Sequence, residues 1–422
     1  MKRSHTLAPA ALIASMALVL SACGNGSTEE GSGDSEGFEF GASQEEVNAA
    51  IEGLEPVEIT YQAAGQSPNS VVSISDIALQ EYIEERSNGQ ITVDMVWGQA
   101  IAGYDEVDSA LVDGRVDIAF TLPVYDPNQY PAFDAINTAT AGMPSSPVLG
   151  ELIAEAVVAD LAAGSQQVLD EYEALGLTPL LPMASAGTYH SICTEAGTSP
   201  DDWNGRTVRI GNTAQEELVQ NLGGSPSSLP YTEMFEALQR GTIDCTLGAL
   251  RNSEEGGILQ VATYLSVIPE ENSLSNRGTS AIVAGSGYEA LPLPYQQIIF
   301  DAMEARYAAS VESLAQGNVA GIEQLKEAGG ELVPLDEESN EIIGETNAKL
   351  IEEVEESGVL DPGIADRTQE SITKWSDLAE ELGYTEEGGY EDLDEWFDME
   401  DYDFAPMAER FFEDVLLPLR PE

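Results

Sequence analysis

Apolar residues in this chain switch repeatedly between two spacings, and that switching constrains the fold class more than any other feature. VEITYQAA, from Val57, has the two-residue period of a strand. Ile74 to Asn88 carries Ile74, Ile77, Ala78, Tyr82 and Ile83 at helical spacing and stops at Asn88-Gly89. ITVDMVW from Ile91 is a second strand, Tyr104 to Asp113 a helix closed by Gly114, and VDIAF from Val116 a third strand. Parallel pairing of neighbouring strands needs a crossover between them, so strands separated by helices imply βαβ units and a largely parallel sheet. The pattern restarts after the Pro-containing loop around Met143 to Pro147. A helix is predicted over 149–175, strands near Thr178–Leu181, at Tyr189–Cys193 and in RTVRI, and a helix over Ala214–Leu222. A short helix over Thr232–Gln239 and the strand TIDCTL complete a second α/β unit. Tyr295 to Ala328 is one amphipathic run, longer than a typical globular helix, and leads through Gly329-Gly330 to the strand ELVPL.

The flanks differ in kind. Lys2 and Arg3 precede an apolar stretch from Leu7 to Leu20, then Leu20-Ser21-Ala22-Cys23. Residues 1–22 read as a signal peptide, too short for a spanning helix. The last four residues resemble the lipobox of bacterial lipoproteins, in which the Cys is acylated. Cys23 is therefore the expected lipidation site, with an ordinary signal peptide and an incidental Cys as the alternative. Residues 23–56 are expected to form a flexible acidic tether, since Gly, Ser and Glu dominate them. The chain would then be extracytoplasmic, lipid-anchored to the outer face of the cell membrane. Residues 336–422 are read as a helical acidic extension, with helices at 338–356 and 366–382. YTEEGGYEDLDEWFDMEDYDF, at 384–404, lacks the oxygen spacing of a calcium loop and is expected to pack its aromatics on the body.

The 422 residues carry 16 Lys+Arg against 76 Asp+Glu, a formal charge of −60. That field repels nucleic acid and anionic head groups, so neither is an expected partner. Self-repulsion is screened by salt, which suggests adaptation to high salt; a generic acidic secreted protein is the alternative. Cys193 and Cys245 are left over in an oxidising compartment and are expected to pair, the alternative being two buried thiols.

Several passages together resemble the solute-binding proteins of tripartite ATP-independent periplasmic (TRAP) transporters, the DctP family, in lipoprotein form. EERSNGQITVDMVWGQAIAG resembles the family's helix, Gly, strand, G-Q-L-G passage, and LVDGRVDIAF its Gly-x-Val-Asp strand. DDWNGRTVRIGN resembles its D-L-x-G-x-x-x-R strand, and LGGSPSSLPYTEMFEALQRGTIDC its G-A-x-P and E-x-Y-x-A-L passages. The resemblance runs from about Val57 to about Leu335. It implies a periplasmic-binding-protein-like class II α/β fold, with two lobes joined by crossover strands and a long hinge helix. The boundaries are 57–185 for lobe I, 186–273 for lobe II, and 274–335 for the return to lobe I and the hinge helix. It also implies capture of a small organic acid in the cleft and delivery to TRAP membrane permease subunits. No enzymatic activity, catalytic residue, cofactor or metal is expected: no nucleophile–base pair or zinc ligand set is visible.

The resemblance makes Arg209 the carboxylate clamp. The residues agree, because a guanidinium matches a carboxylate bidentately and strand parity puts Arg209 opposite Val208 and Ile210. The alternative is an ion pair with one of the many acids. Arg206 shares parity with Val208 and reads as structural. Asn212 matches a family donor position and equally reads as a helix cap. Tyr231 falls where the family has an aromatic under the ligand, with core packing as its alternative. Tyr189 falls where many members carry a second arginine; the family's Asn after D-G is also changed, to Asp244-Cys245-Thr246-Leu247-Gly248, and Arg251 nearby is not expected to compensate. Gln66, Trp97 and Gln99 complete the expected ligand set from lobe I, with core packing as the equal alternative for Trp97. Rival readings are an ABC-type binding lipoprotein, a secreted hydrolase and a structural surface lipoprotein. The charge reading has a direct check: the melting temperature is expected to rise between low salt and molar NaCl, and a flat or falling Tm removes salt adaptation as the reason for the acidity.

Overall fold

A computed structural model describes residues 36–268, 272–274 and 276–422. The signal segment, Cys23 and the start of the tether lie outside the described residues. In chain order the strands are β1 (Val57–Gln62), β2 (Ile91–Val96), β3 (Ile118–Thr121), β4 (Thr178–Ser185), β5 (Tyr189–Cys193), β6 (Thr207–Ile210), β7 (Ser225–Ser228), β8 (Cys245–Ala249), β9 (Tyr264–Val267), β10 (Gly278–Ala284) and β11 (Glu331–Pro334). They form two sheets, β2-β1-β3-β10-β4 and β11-β9-β5-β8-β6-β7, one per lobe.

The chain crosses between sheets three times: at Ala186–Thr188 after β4, between β9 and β10, and through the 35-residue helix Leu293–Glu327 before β11. The sheets are mixed rather than largely parallel. β1 runs parallel to β2 and β3, but β10 is antiparallel to both β3 and β4. Likewise β5 is antiparallel to β8 and β9. β5 and β10 are the strands that arrive from the other lobe, so they enter against the local direction. β11 pairs with β9, so the strand after the hinge helix belongs to the second lobe, not to a return to the first.

Two further sequence expectations change. The helix expected over 149–175 is two, Leu149–Ala163 and Gln166–Ala174, because the Ser165 side chain caps the second by accepting from the Val168 N–H. The tether expected over 23–56 is folded across 36–56. Helix Gln44–Ala50 starts with a Ser43/Glu46 capping box, and Val47 and Ile51 are buried against the first lobe. Phe38 donates its N–H to Gln297 Oε1 at 2.8 Å, and Arg420 covers its ring at 4.9 Å while forming a two-pronged ion pair with Asp301 (2.7 and 3.0 Å). The apolar residues of a stretch that composition marks as a tether find a groove here.

The C-terminal segment is helical and wraps the body. Helix Glu337–Ser357 joins the second lobe through Asn221–Thr346 (3.0 Å) and holds the returning crossover through Asn347 to Ser273 O (2.7 Å). Helix Ile364–Glu381 lies on Leu149–Ala163, where Asp160 accepts from Trp375 Nε1 (2.9 Å) and Ser371 (2.8 Å). Phe411 stacks on Tyr307 of the hinge helix at 4.2 Å. Tyr390 and Leu393, within the acidic aromatic stretch, are buried in a cluster with Ile192, Leu250 and Leu265 of the second lobe. Each such side chain contributes about 1.5–3 kcal/mol by burial.

A seam of buried polar groups fixes the crossings. Glu151 and Glu155, one turn apart on Leu149–Ala163, accept from the backbone N–H of Thr188 (2.9 Å) and Ser185 (2.8 Å). They also accept from Asn318 (3.2 Å) and Ser310 (3.2 Å) of the hinge helix. Arg277, fully buried on the returning crossover, donates to Gly150 O at 2.9 Å. At Gly187, which has φ +96°, a Cβ would lie 2.9 Å from Leu314, so the first crossing approaches the hinge helix only because it carries glycine there.

The expected Cys193–Cys245 disulfide forms between directly paired positions of β5 and β8. Beside it on β5, His190 is buried, with its ring 4.6 Å from Tyr390 and no hydrogen bond to either ring nitrogen. Burial first, then Arg277, pushes its pKa from 6.5 down to about 3. The unfolded chain takes up that proton near 6.5 and the folded chain only near 3. The contribution to stability is therefore complete above 6.5 and is lost as pH falls towards 3. Wild type is expected to lose up to about 1.4 kcal/mol per pH unit relative to His190→Phe across that window, measured by denaturant unfolding; parallel pH profiles would contradict it.

Candidate functional site in the cleft between the lobes

Strand ends build the cleft. Gln66 follows β1 on a loop held by the buried Asp76 carboxylate, which accepts from Ala64 N (3.1 Å) and Gly65 N (3.3 Å). Tyr125 follows β3, Arg209 sits on β6, and Leu250–Glu255 is a short helix directly after β8. That helix packs against the hinge helix, where a Cβ at Gly317 would lie 2.5 Å from Arg251 Cβ. The glycine permits the approach that places Arg251 at the cleft.

The lobes are closed on each other. Gln66 N–H donates to Glu255 Oε1 at 3.1 Å, and Ser70 Oγ donates to the same oxygen at 2.5 Å. Gln66 Nε2 reaches Tyr231 OH at 3.4 Å, and the hydroxyls of Tyr104 and Tyr231 lie 3.1 Å apart. Tyr125 OH accepts from Arg209 Nη2 (3.3 Å) and from Tyr231 N–H (3.2 Å). At the mouth, Thr213 donates to Asp134 (3.0 Å). Behind these contacts lies a cavity of about 50 Å³ walled by Phe120, Tyr125, Tyr189, Tyr231, Arg209, Arg251 and Glu255 among others. Outside it a groove of about 950 Å³ runs between the lobes.

Arg209 is 3% exposed. Its guanidinium donates to Leu229 O (2.9 Å), Leu247 O (3.4 Å) and Tyr125 OH, and no described carboxylate pairs with it. Burying a guanidinium without a counter-ion is costly, so this arrangement favours an anion supplied from outside. Arg206 instead donates to Ala196 O and sits 3.7 Å from Cys245 Sγ, a structural position. Burial pushes the Tyr189 phenol up to about 12 against the opposing effect of Arg209, and burial likewise pushes Tyr231 to about 12. Both hydroxyls therefore stay protonated at neutral pH and can donate.

The remaining expected residues divide. Asn212 caps helix Thr213–Asn221 through Oδ1, which accepts from Gln215 N–H at 3.0 Å, while its buried Nδ2 has no partner. It lines the outer groove, as does Gln99, not the inner cavity. Tyr189 and Tyr231 wall the cavity, and Gln66 bridges the lobes at its rim. Trp97 packs on the first-lobe core and is not brought to the cavity.

Tyr125, Tyr104 and Glu255 escaped the sequence reading of the site. Arg251 was expected to stay out and instead walls the cavity, 8% exposed, with Nη1 donating to Ser313 of the hinge helix at 3.2 Å. Burial pushes its pKa down, opposed by Glu155, Glu151 and Glu255. One signal was available: ligands of open α/β sheets sit outside the carboxyl ends of strands, where Tyr125, Arg251 and Glu255 follow β3 and β8.

Comparison with known proteins follows this geometry. The family model described as bacterial extracellular solute-binding protein, family 7 (DctP) matches residues 64–357. The ectoine-binding periplasmic protein TeaA of Halomonas elongata is 29% identical over 157 residues, 36% of this chain and 44% of that protein. A solute-binding protein of Chromohalobacter salexigens is 25% identical over 147 residues, 33% and 41% of the two chains. The chain thus spans less than half the length of these curated relatives. Among solved structures, a marine metagenome TRAP solute-binding protein in complex with 3-hydroxybenzoate superposes with a TM-score of 0.66 at 17% identity, over 76% of this chain and 99% of that one. The sugar acid binding protein of Advenella mimigardefordensis in complex with galactonate gives 0.64 at 19%, over 76% and 99%. These two superpositions bear on the fold, which is that of the two-lobed binding proteins. With a family model matched over most of its length, from just after the first strand through the crossovers and hinge helix, the chain belongs to the bacterial extracellular solute-binding protein family 7, the DctP family.

Proposed function

We propose that the protein is an extracytoplasmic receptor that captures a small organic acid between its lobes and delivers it to a TRAP permease for ion-gradient-driven uptake. The observation that carries this reading is Arg209, a buried guanidinium on a shut interlobe cavity that pairs with no described carboxylate. Arg209 clamps the ligand carboxylate, Tyr189 and Tyr231 pack its carbon skeleton, and Gln66 helps close the rim. Asn212 Nδ2 and Gln99 stand at the mouth, where an incoming acid passes. Trp97 has no ligand role in this scheme. The mechanism is hinge closure, with lobe contacts remade around the ligand.

Relatives support the ligand class: one is named for ectoine binding, and others are solved with 3-hydroxybenzoate or galactonate. The family match favours this reading over an ABC-type receptor. Attachment to the outer face of the membrane through acylated Cys23 is part of the proposal, supported by the basic, apolar and Cys segments standing in the order a lipoprotein signal requires.

A thermal-shift screen over carboxylates, sugar acids, amino acids and aromatic acids, run at high salt, is expected to find a stabilising ligand. Arg209→Ala should then weaken binding by about 100-fold or more in calorimetry, since two or three charge-assisted hydrogen bonds are lost. A variant that binds as tightly as wild type would overturn the clamp.

A further inference from the structure

The cavity wall carries two guanidinium groups and one carboxylate, and their surroundings make them unequal. Arg251 is held towards the hinge helix: its Nε and Nη1 donate to Asn252 (3.3 Å) and Ser313 (3.2 Å), and Glu155, Glu151 and Glu255 offset part of the cost of burying it. Arg209 has carbonyl and hydroxyl partners but no acid. Neither makes an ion pair with a described carboxylate, but Arg251 bonds to the hinge helix while Arg209 bonds across the cleft to Tyr125.

Glu255 is the opposing charge. Its Oε1 accepts from Gln66 N–H and Ser70 Oγ of the first lobe, while its Oε2 makes no hydrogen bond to any described residue. Tyr231 lies between the two poles: its hydroxyl meets Gln66 Nε2 on the Glu255 side, and its N–H donates to Tyr125 OH, the oxygen that also accepts from Arg209. The cleft is bipolar, with a cation at the Tyr125 end and a carboxylate at the Gln66 end.

We propose that Glu255 determines specificity: the site selects a monocarboxylate whose far end carries an ammonium, amidinium or other strong hydrogen-bond donor, and rejects dicarboxylates. This rests on the carboxylate reading of Arg209 and deepens it. A donor-bearing end satisfies Glu255 Oε2. A second carboxylate there meets the like charge of Glu255, while Arg251 has its Nε and Nη1 engaged by Asn252 and by Ser313 of the hinge helix.

Matched ligands test this. β-Alanine, 4-aminobutyrate and 5-aminovalerate place an ammonium where succinate, glutarate and adipate place a second carboxylate. At the chain length that fits, wild type is expected to bind the amino acid at least about tenfold more tightly than its dicarboxylate partner. Glu255→Gln should bring the two to within about threefold. Glu255 also ties the lobes together, so its loss can shift closure; that effect scales both members of a pair equally and leaves their ratio unmoved. A dicarboxylate that binds as well as its partner, a ratio unchanged in Glu255→Gln, or no binding in either series overturns the inference. The carboxylate reading fails separately, if bound probes are held as tightly by Arg209→Ala.

Discussion

The fold depends on two carboxylates placed where the chain passes between its lobes. Glu151 and Glu155 receive donors from the first crossing and from the hinge helix at once, so the crossing cannot move without breaking charge-assisted bonds in a dry seam. Burial pushes Glu155 up, and Arg306 first, then Ser185, pulls it back. Asp76, on the first-lobe side, is balanced by Arg306 in the same way. Arg306 is thus shared by two buried acids, and removing either would leave it with one. The C-terminal segment reaches into this seam: Glu386 accepts from the N–H groups of Val148 and Leu149 at the start of the helix that carries both acids.

The few cations of so acidic a chain are distributed with a purpose that follows from dielectric. Lys326 and Lys349 make exposed ion pairs with Asp394 and Glu217, contacts worth little in water. The buried positions at the hinge and cleft hold arginines: Arg209, Arg251, Arg277 and Arg306. A guanidinium keeps its charge when desolvated and spreads its donors over several carbonyls. Three of the four face acids of the seam. The exception is Arg209, which no described carboxylate pairs with.

Much of this was legible in the sequence where one face of an element is buried. VEITYQ, ITVDMV and TVRI showed as strands by alternation, and the hinge helix by its length. β10 was not legible because all seven of its residues are buried, so GTSAIVA carries no alternation. β7, SPSS, has no apolar signal and owes its strand form to pairing with β6. In the site, strand parity singled out Arg209, but its partners are Tyr125, 84 residues away, and backbone carbonyls, which no local pattern encodes. Arg251 and Glu255 share a six-residue helix too short to show a period. The tether misled for a related reason: composition reports what a segment can bury, not whether Phe38, Val47 and Ile51 meet a surface that fits them.

The Arg420–Asp301 pair draws the two ends of the described chain together. Arg420 Nη1 also donates to Phe38 O, 382 residues away in sequence, and Gln297 joins Phe38 N–H to Pro421 O. Contacts of such sequence separation form late, because loop closure must be achieved before they gain anything. The segment 36–56 therefore cannot settle on the first lobe in its final form until residues near 420 are free to reach it. The fold closes at a clasp, and losing Arg420 and Pro421 would loosen the segment that carries Phe38.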